Sequence, residues 1–246
     1  MENETPKLKV FSPTRTETWD FCHLKPDLRQ WVPKVFAKRD LARFVGSAWA
    51  VGMAVLNRGK LEGVSHPPSV IAESILGAFT AEIGVLREAG VQIEQSDTDE
   101  LCSMLLKTTE RYMADDPLTA QRGWKVADVE LVLPEHGRAR IDWGGHDPYS
   151  VLCQVDYKLK ISLEQRWYDK EVERYRHSHQ MNHYCWAYGE YRGQPVHRYY
   201  IALVVMGPRY RCTLHQYECD PELQAAWLVS ARQKWDDMAQ QQAGNR

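Results

Sequence analysis

Arg138-Ala139-Arg140-Ile141-Asp142-Trp143, then Gly144-Gly145-His146-Asp147-Pro148, then Val151-Leu152-Cys153-Gln154-Val155-Asp156-Tyr157-Lys158-Leu159-Lys160 read as two strands around a turn. Both outer runs alternate in character with the period of two that half-buried strands show, and the glycines and proline between them are turn formers. The hairpin puts Asp156 and Lys158 on one face of the second strand. It leaves Asp142 near the loop end of the first, so two carboxylates can converge on one ion.

Magnesium and manganese prefer oxygen ligands, and magnesium is commonly held by one or two carboxylates together with waters and phosphate oxygens. A bound cation lowers the pKa of its water and neutralises charge on a scissile phosphate, which is what phosphodiester hydrolysis needs. Lys158 would stabilise the extra negative charge of the transition state. Asp-x-Lys alone would signify no more than a solvated same-face ion pair, so its weight comes from its companions.

Upstream, Val126 to Leu133 alternates again. Ala127, Val129, Leu131 and Leu133 fall on one face, and Val126, Asp128, Glu130 and Val132 on the other. Glu130 is then either a further metal ligand, direct or through a water, or an exposed strand carboxylate. Downstream, Leu163 to Tyr191 holds strong helix formers and no proline, which predicts one long helix ending before Gly193. Gln180 and Tyr184, four apart, share a face of it and suit contacts to phosphate or base.

In chain order, Gly137-Arg138-Ala139-Arg140-Ile141-Asp142, then Gln154-Val155-Asp156-Tyr157-Lys158, then Gln180-Met181-Asn182-His183-Tyr184 resemble the RecB-like branch of the PD-(D/E)XK nuclease superfamily. In that branch a Gly-x-hydrophobic-Asp element leads to hydrophobic-Asp-Tyr-Lys and then to a helical Gln-x-x-x-Tyr. Phe11 to Cys22 is similar to the family's opening helix, with Ser12 as cap and Pro13 at its first turn. Gly46-Ser47-Ala48-Trp49-Ala50 is similar to a Gly-Thr-x-x-His segment, but Ala50 stands where the family has histidine. None of His66, His177, His179 or His183 is assigned in its place.

The resemblance implies a restriction-endonuclease-like α/β fold: a mixed central sheet flanked by helices, under a helical N-terminal layer. It implies metal-dependent hydrolysis of DNA, with Asp142, Asp156, Lys158 and Glu130 as the catalytic set. Asp142, Asp156, the Tyr157 backbone carbonyl and Glu130 would be the ligands of Mg2+ or Mn2+. Gln180, Tyr184, Ser12, Thr14 and Arg140 would contact DNA. Exonuclease action on linear single- or double-stranded ends is the leading form, as in phage-type recombination or CRISPR-associated nucleases. The alternatives are an endonuclease, or a catalytically weakened nuclease fold kept as a nucleic-acid-binding subunit. A homo-oligomer or a recombination partner protein fits the same setting. Relatives that carry an iron-sulfur cluster use one early and three late cysteines. Here Cys22 is early, but Cys185, Cys212 and Cys219 lack the close pairing that would pre-organise a cluster, so reduced thiols are expected.

Composition sets outer bounds. With 246 residues and 43% hydrophobic content the chain can bury a substantial core, and it reads as one domain. Residues 1–120 form a mainly helical layer, 121–220 the catalytic sheet and helix, and 221–246 a terminal helix and tail. Helices are expected near Leu41 to Asn57, Ser69 to Ala89 and Asp97 to Ala114. Strands follow over Val196 to Met206 and Tyr210 to Tyr217, a helix begins at Pro221, and Gln240 to Arg246 reads as frayed. The Tyr199 to Met206 apolar run is too short to span a membrane, and a cytoplasmic setting in a bacterial or phage-infected cell is expected. A net charge of -2 argues against a broad basic DNA-coating face. Contacts would be local, through Arg138, Arg140, Lys158, Lys160, Arg166, Arg174 and Arg176, which Glu164, Asp169, Glu171 and Glu173 balance. Trp19, Trp49, Trp124 and Trp143 are the candidate base-stacking tryptophans.

Overall fold

A computed structural model describes residues 41–120, 122–133, 139–161, 164–219 and 221–244. Three helices come first: α1 (Leu41–Glu62), α2 (Pro68–Glu88) and α3 (Gln95–Asp115), each starting within a few residues of its expected position. A single turn α4 (Pro117–Ala120) leads into β1 (Lys125–Leu133), β2 (Ala139–His146) and β3 (Leu152–Ile161). Then come α5 (Gln165–Arg176), α6 (His179–Arg192), β4 (Arg198–Met206), β5 (Arg211–Glu218) and α7 (Pro221–Gly244).

The five strands lie in the order β1-β2-β3-β4-β5. All neighbours are antiparallel except β3 and β4, which run parallel and are joined across one face by α5 and α6. A parallel neighbour requires such a crossover, and its strands are buried on both sides. β4 shows this directly: Ala202, Val204 and Met206 join a core shared with α1, α2 and α3, while Ile201, Leu203 and Val205 join a second core with α5 and α6. The chain is thus α/β, a mixed sheet with helices on both faces, as the patterning predicts.

The first core is centred on Val45, Trp49, Ile71, Ile75, Phe79, Leu105 and Tyr112, packed against Trp143, Val155 and Tyr157 of the sheet. Gly52 lets α1 and α2 meet closely, since a Cβ there would lie 2.3 Å from Ile75 Cγ1. By length and composition α2 could cross a membrane, and it is a longer apolar stretch than Tyr199 to Met206. In the fold its Ile71, Ile75, Phe79 and Ile83 stripe serves this core.

Four local expectations are corrected. The long helix is two helices: Ser178 breaks it and caps α6, its Oγ accepting from Met181 N at 3.4 Å. A serine hydroxyl offers the backbone a local alternative to helix continuation. The second helix ends as expected at Gly193, with φ 67°. Gly144 and Gly145 lie within β2 rather than in the turn. A Cβ on Gly144 would strike the Tyr188 ring at 2.4 Å, and one on Gly145 the Lys125 carbonyl oxygen at 2.1 Å. Close approach, not turning, is what these glycines permit. The turn lies at Asp147 to Ser150, where Asp147 Oδ1 accepts from Tyr149 N and Val151 N. Strict alternation in β1 fails, because the register shifts between Val126 and Asp128 and Glu130 takes a φ of 52°. Finally, α7 runs on to Gly244, so the glutamine-rich end continues the helix instead of fraying at Gln240. Its alanines and glutamines are good helix formers.

Candidate metal centre

The β2–β3 ladder runs from His146↔Leu152 to Trp143↔Val155 and stops there. One residue further on, the Asp142 carboxylate replaces the missing backbone partner: its Oδ2 accepts from Tyr157 N at 3.2 Å. The strand turns at this point. Trp143 packs in the first core whereas Ile141 packs in the second, although residues two apart on a regular strand share a face. By the β1–β2 register, Glu130 with its positive φ stands opposite Asp142, between the Val129↔Trp143 and Leu131↔Ile141 pairs. Left-handed backbone in a non-glycine residue costs about 1 kcal/mol. Here it lets Leu131 and Leu133 follow Ile141 into the second core.

Asp142 opens into a cleft of about 600 Å³ that also takes in Asp156 and Lys158. Asp156 is 3% exposed, and Lys158 Nζ stands 2.7 Å from its Oδ2. Apart from that ion pair, this buried carboxylate oxygen has no hydrogen-bond partner. The expected trio therefore shares one cleft.

Electrostatics mark the same spot. Asp142 keeps some solvent contact but is hemmed in by protein. Desolvation first, then the neighbouring Asp156 charge, push its carboxyl up to about 7, against the opposing pull of Lys158 and the Tyr157 N–H. Burial alone would lower Lys158, but Asp156 and Asp142 outweigh it and hold the ammonium above the usual lysine value. Asp142, made costly to ionise by burial and by Asp156, and a buried Asp156 oxygen that only Lys158 meets form a donor set with one carboxylate more than the single ammonium beside it can balance. A divalent cation meets that need, and magnesium can be held by two carboxylates with waters completing its shell. The donor set fits such an ion.

The other expected residues fall unevenly. Tyr157 turns its N–H toward Asp142, and a strand residue directs its N–H and C=O to the same side, so its carbonyl lies at the same edge. Glu130 is held by Arg140, whose Nε donates to Oε2 at 2.6 Å, and its charge adds to the upward push on Asp142. Arg140 itself lines the cleft. Among the described residues no group of three or more His, Cys, Asp or Glu side chains is arranged around one point. Gln180 and Tyr184 line the cleft and are joined, Nε2 donating to the hydroxyl at 2.9 Å. Gly46, Ser47, Ala48 and Ala50 of α1 form the opposite wall, so Ala50 does lie at the site, and no described histidine lines it. His183 is buried instead against Trp186 and Trp227.

Ser12, Thr14, Trp19, Cys22, Gly137 and Arg138 lie outside the described residues. Trp49 and Trp143 are core residues at 0% and 2% exposure, and Trp124 packs edge-on against Trp143 and Tyr200. Burial takes Trp49 and Trp143 out of reach of bases, while Trp124 is half-buried at the edge of the same core. Cys212 packs with the first core while Cys185 and Cys219 belong to the second, so the three late cysteines do not meet.

The sequence reading missed Arg43 of α1 and Glu82 of α2, which line the cleft because α1 and α2 fold over the end of β3. It also missed Asn57. This residue is fully buried and its amide faces the Tyr157 hydroxyl: Nδ2 donates at 3.0 Å, and the hydroxyl donates back to Oδ1 at 3.2 Å. An asparagine on the apolar stripe of α1 beside Met53 and Leu56 was the available signal. It anchors the side chain whose backbone braces Asp142. Asn57→Ala should lower stability by about 1–3 kcal/mol in urea denaturation, the cost of stranding a buried hydroxyl. The double change Asn57→Leu with Tyr157→Phe, which removes both partners, should recover part of that loss. Equal stability of Asn57→Ala and wild type would show the pair to be idle.

A larger cavity of about 920 Å³, lined by Leu101, Met104, Ile161 and Pro208 with Glu100, Lys107 and Arg111, includes none of these groups. Its lining is mainly apolar and no carboxylates converge there, so chemistry favours the smaller cleft. The chain matches no protein-family model and no curated protein, so the reading of this site rests on its own residues.

Proposed function

We propose that this chain is a divalent-metal-dependent deoxyribonuclease with a restriction-endonuclease-like fold, of the RecB-like PD-(D/E)XK kind, acting on DNA ends in a bacterial or phage-infected cytoplasm. One observation carries the proposal: two mutually repelling carboxylates, Asp142 and Asp156, share a cleft with the Lys158 ammonium. Perturbed titratable groups gathered in a cleft are characteristic of functional sites.

Asp142 and Asp156 would hold Mg2+ or Mn2+, with the Tyr157 carbonyl at the same edge and Glu130 behind it. When bound, such an ion supplies an activated water and neutralises charge at the phosphate. Lys158, which the two carboxylates keep protonated at neutral pH, acts as a fixed positive charge for the transition state and not as a base. Gln180 and Tyr184 hold the strand from α6, while Arg140 meets its phosphates at the mouth. The α1 and α2 walls limit the access of bulk water, which strengthens each of these interactions.

The test is incubation with end-labelled linear and closed circular DNA, single and double stranded, with Mg2+, Mn2+ or EDTA. Linear DNA should be degraded from its ends only when metal is present, and the closed circle spared. Cutting of the circle would make the chain an endonuclease. Binding without any metal-dependent cleavage would replace the proposal with a nuclease fold retained as a DNA-binding subunit.

A further inference from the structure

Trp167, on α5, is 47% exposed, whereas the other tryptophans with described side chains are buried or half-buried. Its ring is flanked by two cations: the Arg166 guanidinium carbon lies 5.2 Å from the centroid and Lys170 Nζ 4.7 Å. Those two cations are its ring contacts among the described residues, and the core contacts of α5 are made by Tyr168 and Tyr175. An exposed tryptophan costs free energy that polar residues would avoid.

Its position joins it to the candidate cleft. Trp167, Glu171 and Arg174 fall at i, i+4 and i+7, one stripe of the helix. Glu171 Oε2 holds Lys160, a cleft-lining residue, at 3.0 Å, and also Arg174 at 3.0 Å. Tyr175, at the far end of α5, is near enough to Lys158 for the ammonium to oppose the rise that burial gives its phenol. Trp167 therefore lies eight residues, about 12 Å, along α5 from the level of the reacting groups. At about 3.4 Å per stacked nucleotide, that is roughly three to four nucleotides of a single strand. The helix carries Arg166, Lys170, Arg174 and Arg176 against Asp169, Glu171 and Glu173, and Glu164 pairs with Arg166 at 3.1 Å.

We infer that Trp167, with Arg166 and Lys170, is a stacking station for single-stranded DNA running along α5 into or out of the cleft. This rests on the nuclease reading. A base takes one face of the indole, and the cation head that covered that face is freed to pair with the adjacent phosphate. Base–aromatic stacking of this kind is indifferent to sequence and suits a strand fed past a fixed site.

The test uses a labelled oligo-dT strand and a blunt duplex, with anisotropy in EDTA and steady-state cleavage in Mg2+. Trp167→Ala should weaken oligo-dT binding about tenfold, the scale of one lost base stack, with the loss appearing in KM rather than kcat. Trp167→Phe should restore most of it, and duplex binding should change less. Arg166→Ala with Lys170→Ala should also weaken binding and flatten its salt dependence. Unchanged thermal unfolding of each variant keeps the comparison clean. Wild-type affinity in Trp167→Ala, or a phenylalanine variant as weak as the alanine one, would overturn the station while leaving the nuclease reading intact. A shift from dimer to monomer on Trp167→Ala would assign the ring to a second copy of the chain instead. If the wild-type protein neither binds nor cleaves DNA, both readings fall together.

Discussion

Lys158→Ala should reduce cleavage of linear DNA by on the order of a hundred- to a thousandfold in kcat, with DNA binding nearly retained, because the lost charge acts on the transition state more than on bound substrate. The ammonium is held at 2.7 Å from Asp156 and above its usual pKa by both carboxylates, so it is positioned and charged before DNA arrives. Asp156→Ala should lose at least as much, since it removes the proposed ligand and the lysine's anchor together. The double variant should be little worse than either single one, as expected for groups that work as a unit. Single-turnover rates in Mg2+, with binding measured separately, decide the matter. Activity that survives both substitutions would remove Asp156 and Lys158 from the chemistry.

Asp142→Asn should have two opposite effects. The wild-type carboxyl, raised to about 7 from an ordinary 3.8 by burial and by Asp156, favours the folded state only while protonated. Its contribution is complete below about pH 3.8 and is lost as pH rises through 7, so at pH 8 the ionised group burdens the metal-free fold. Asparagine cannot ionise. In EDTA at pH 8 the variant should therefore be more stable than wild type, by on the order of 1–3 kcal/mol once solvent contact is allowed for, and the gap should close toward pH 4. Adding Mg2+ or Mn2+ should raise the Tm of wild type and not of the variant, because only the wild type gains binding energy from the ion. Thermal unfolding across pH 4–8, with and without metal, reads both effects without recourse to activity. A variant less stable than wild type at pH 8, or one that keeps its metal response, would argue that Asp142 is a structural hydrogen-bond acceptor and no more. Stabilisation by removing a site residue is the usual mark of a group kept for function.

Alternation and helix-start signals were enough to find β3, β4, β5 and α1 to α3 to within a few residues, because strand and helix periods are set by local backbone geometry. They were also enough to put Asp156 with Lys158, and Gln180 with Tyr184, on common faces. The failures share a different cause. Gly144 and Gly145 looked like a turn because their real constraint, the ring of Tyr188 and the carbonyl of Lys125, is distant in sequence. Trp49 and Trp143 looked available for bases because burial is decided by what packs against a ring. Trp167 passed unnoticed inside a charged helix for the same reason.

Spacing along the chain thus established which residue types sit on which strand or helix face, and the order in which acid, acid-x-base and amide-phenol pairs occur. Folding decided that these faces meet. The parting of β2 from β3 at Asp142, the left-handed turn at Glu130, and the closure of α1 and α2 over the end of β3 are long-range events. The depth at which Asp142 and Asp156 repel each other follows from them, since Coulomb energy and desolvation depend on distance and surroundings that no local pattern encodes.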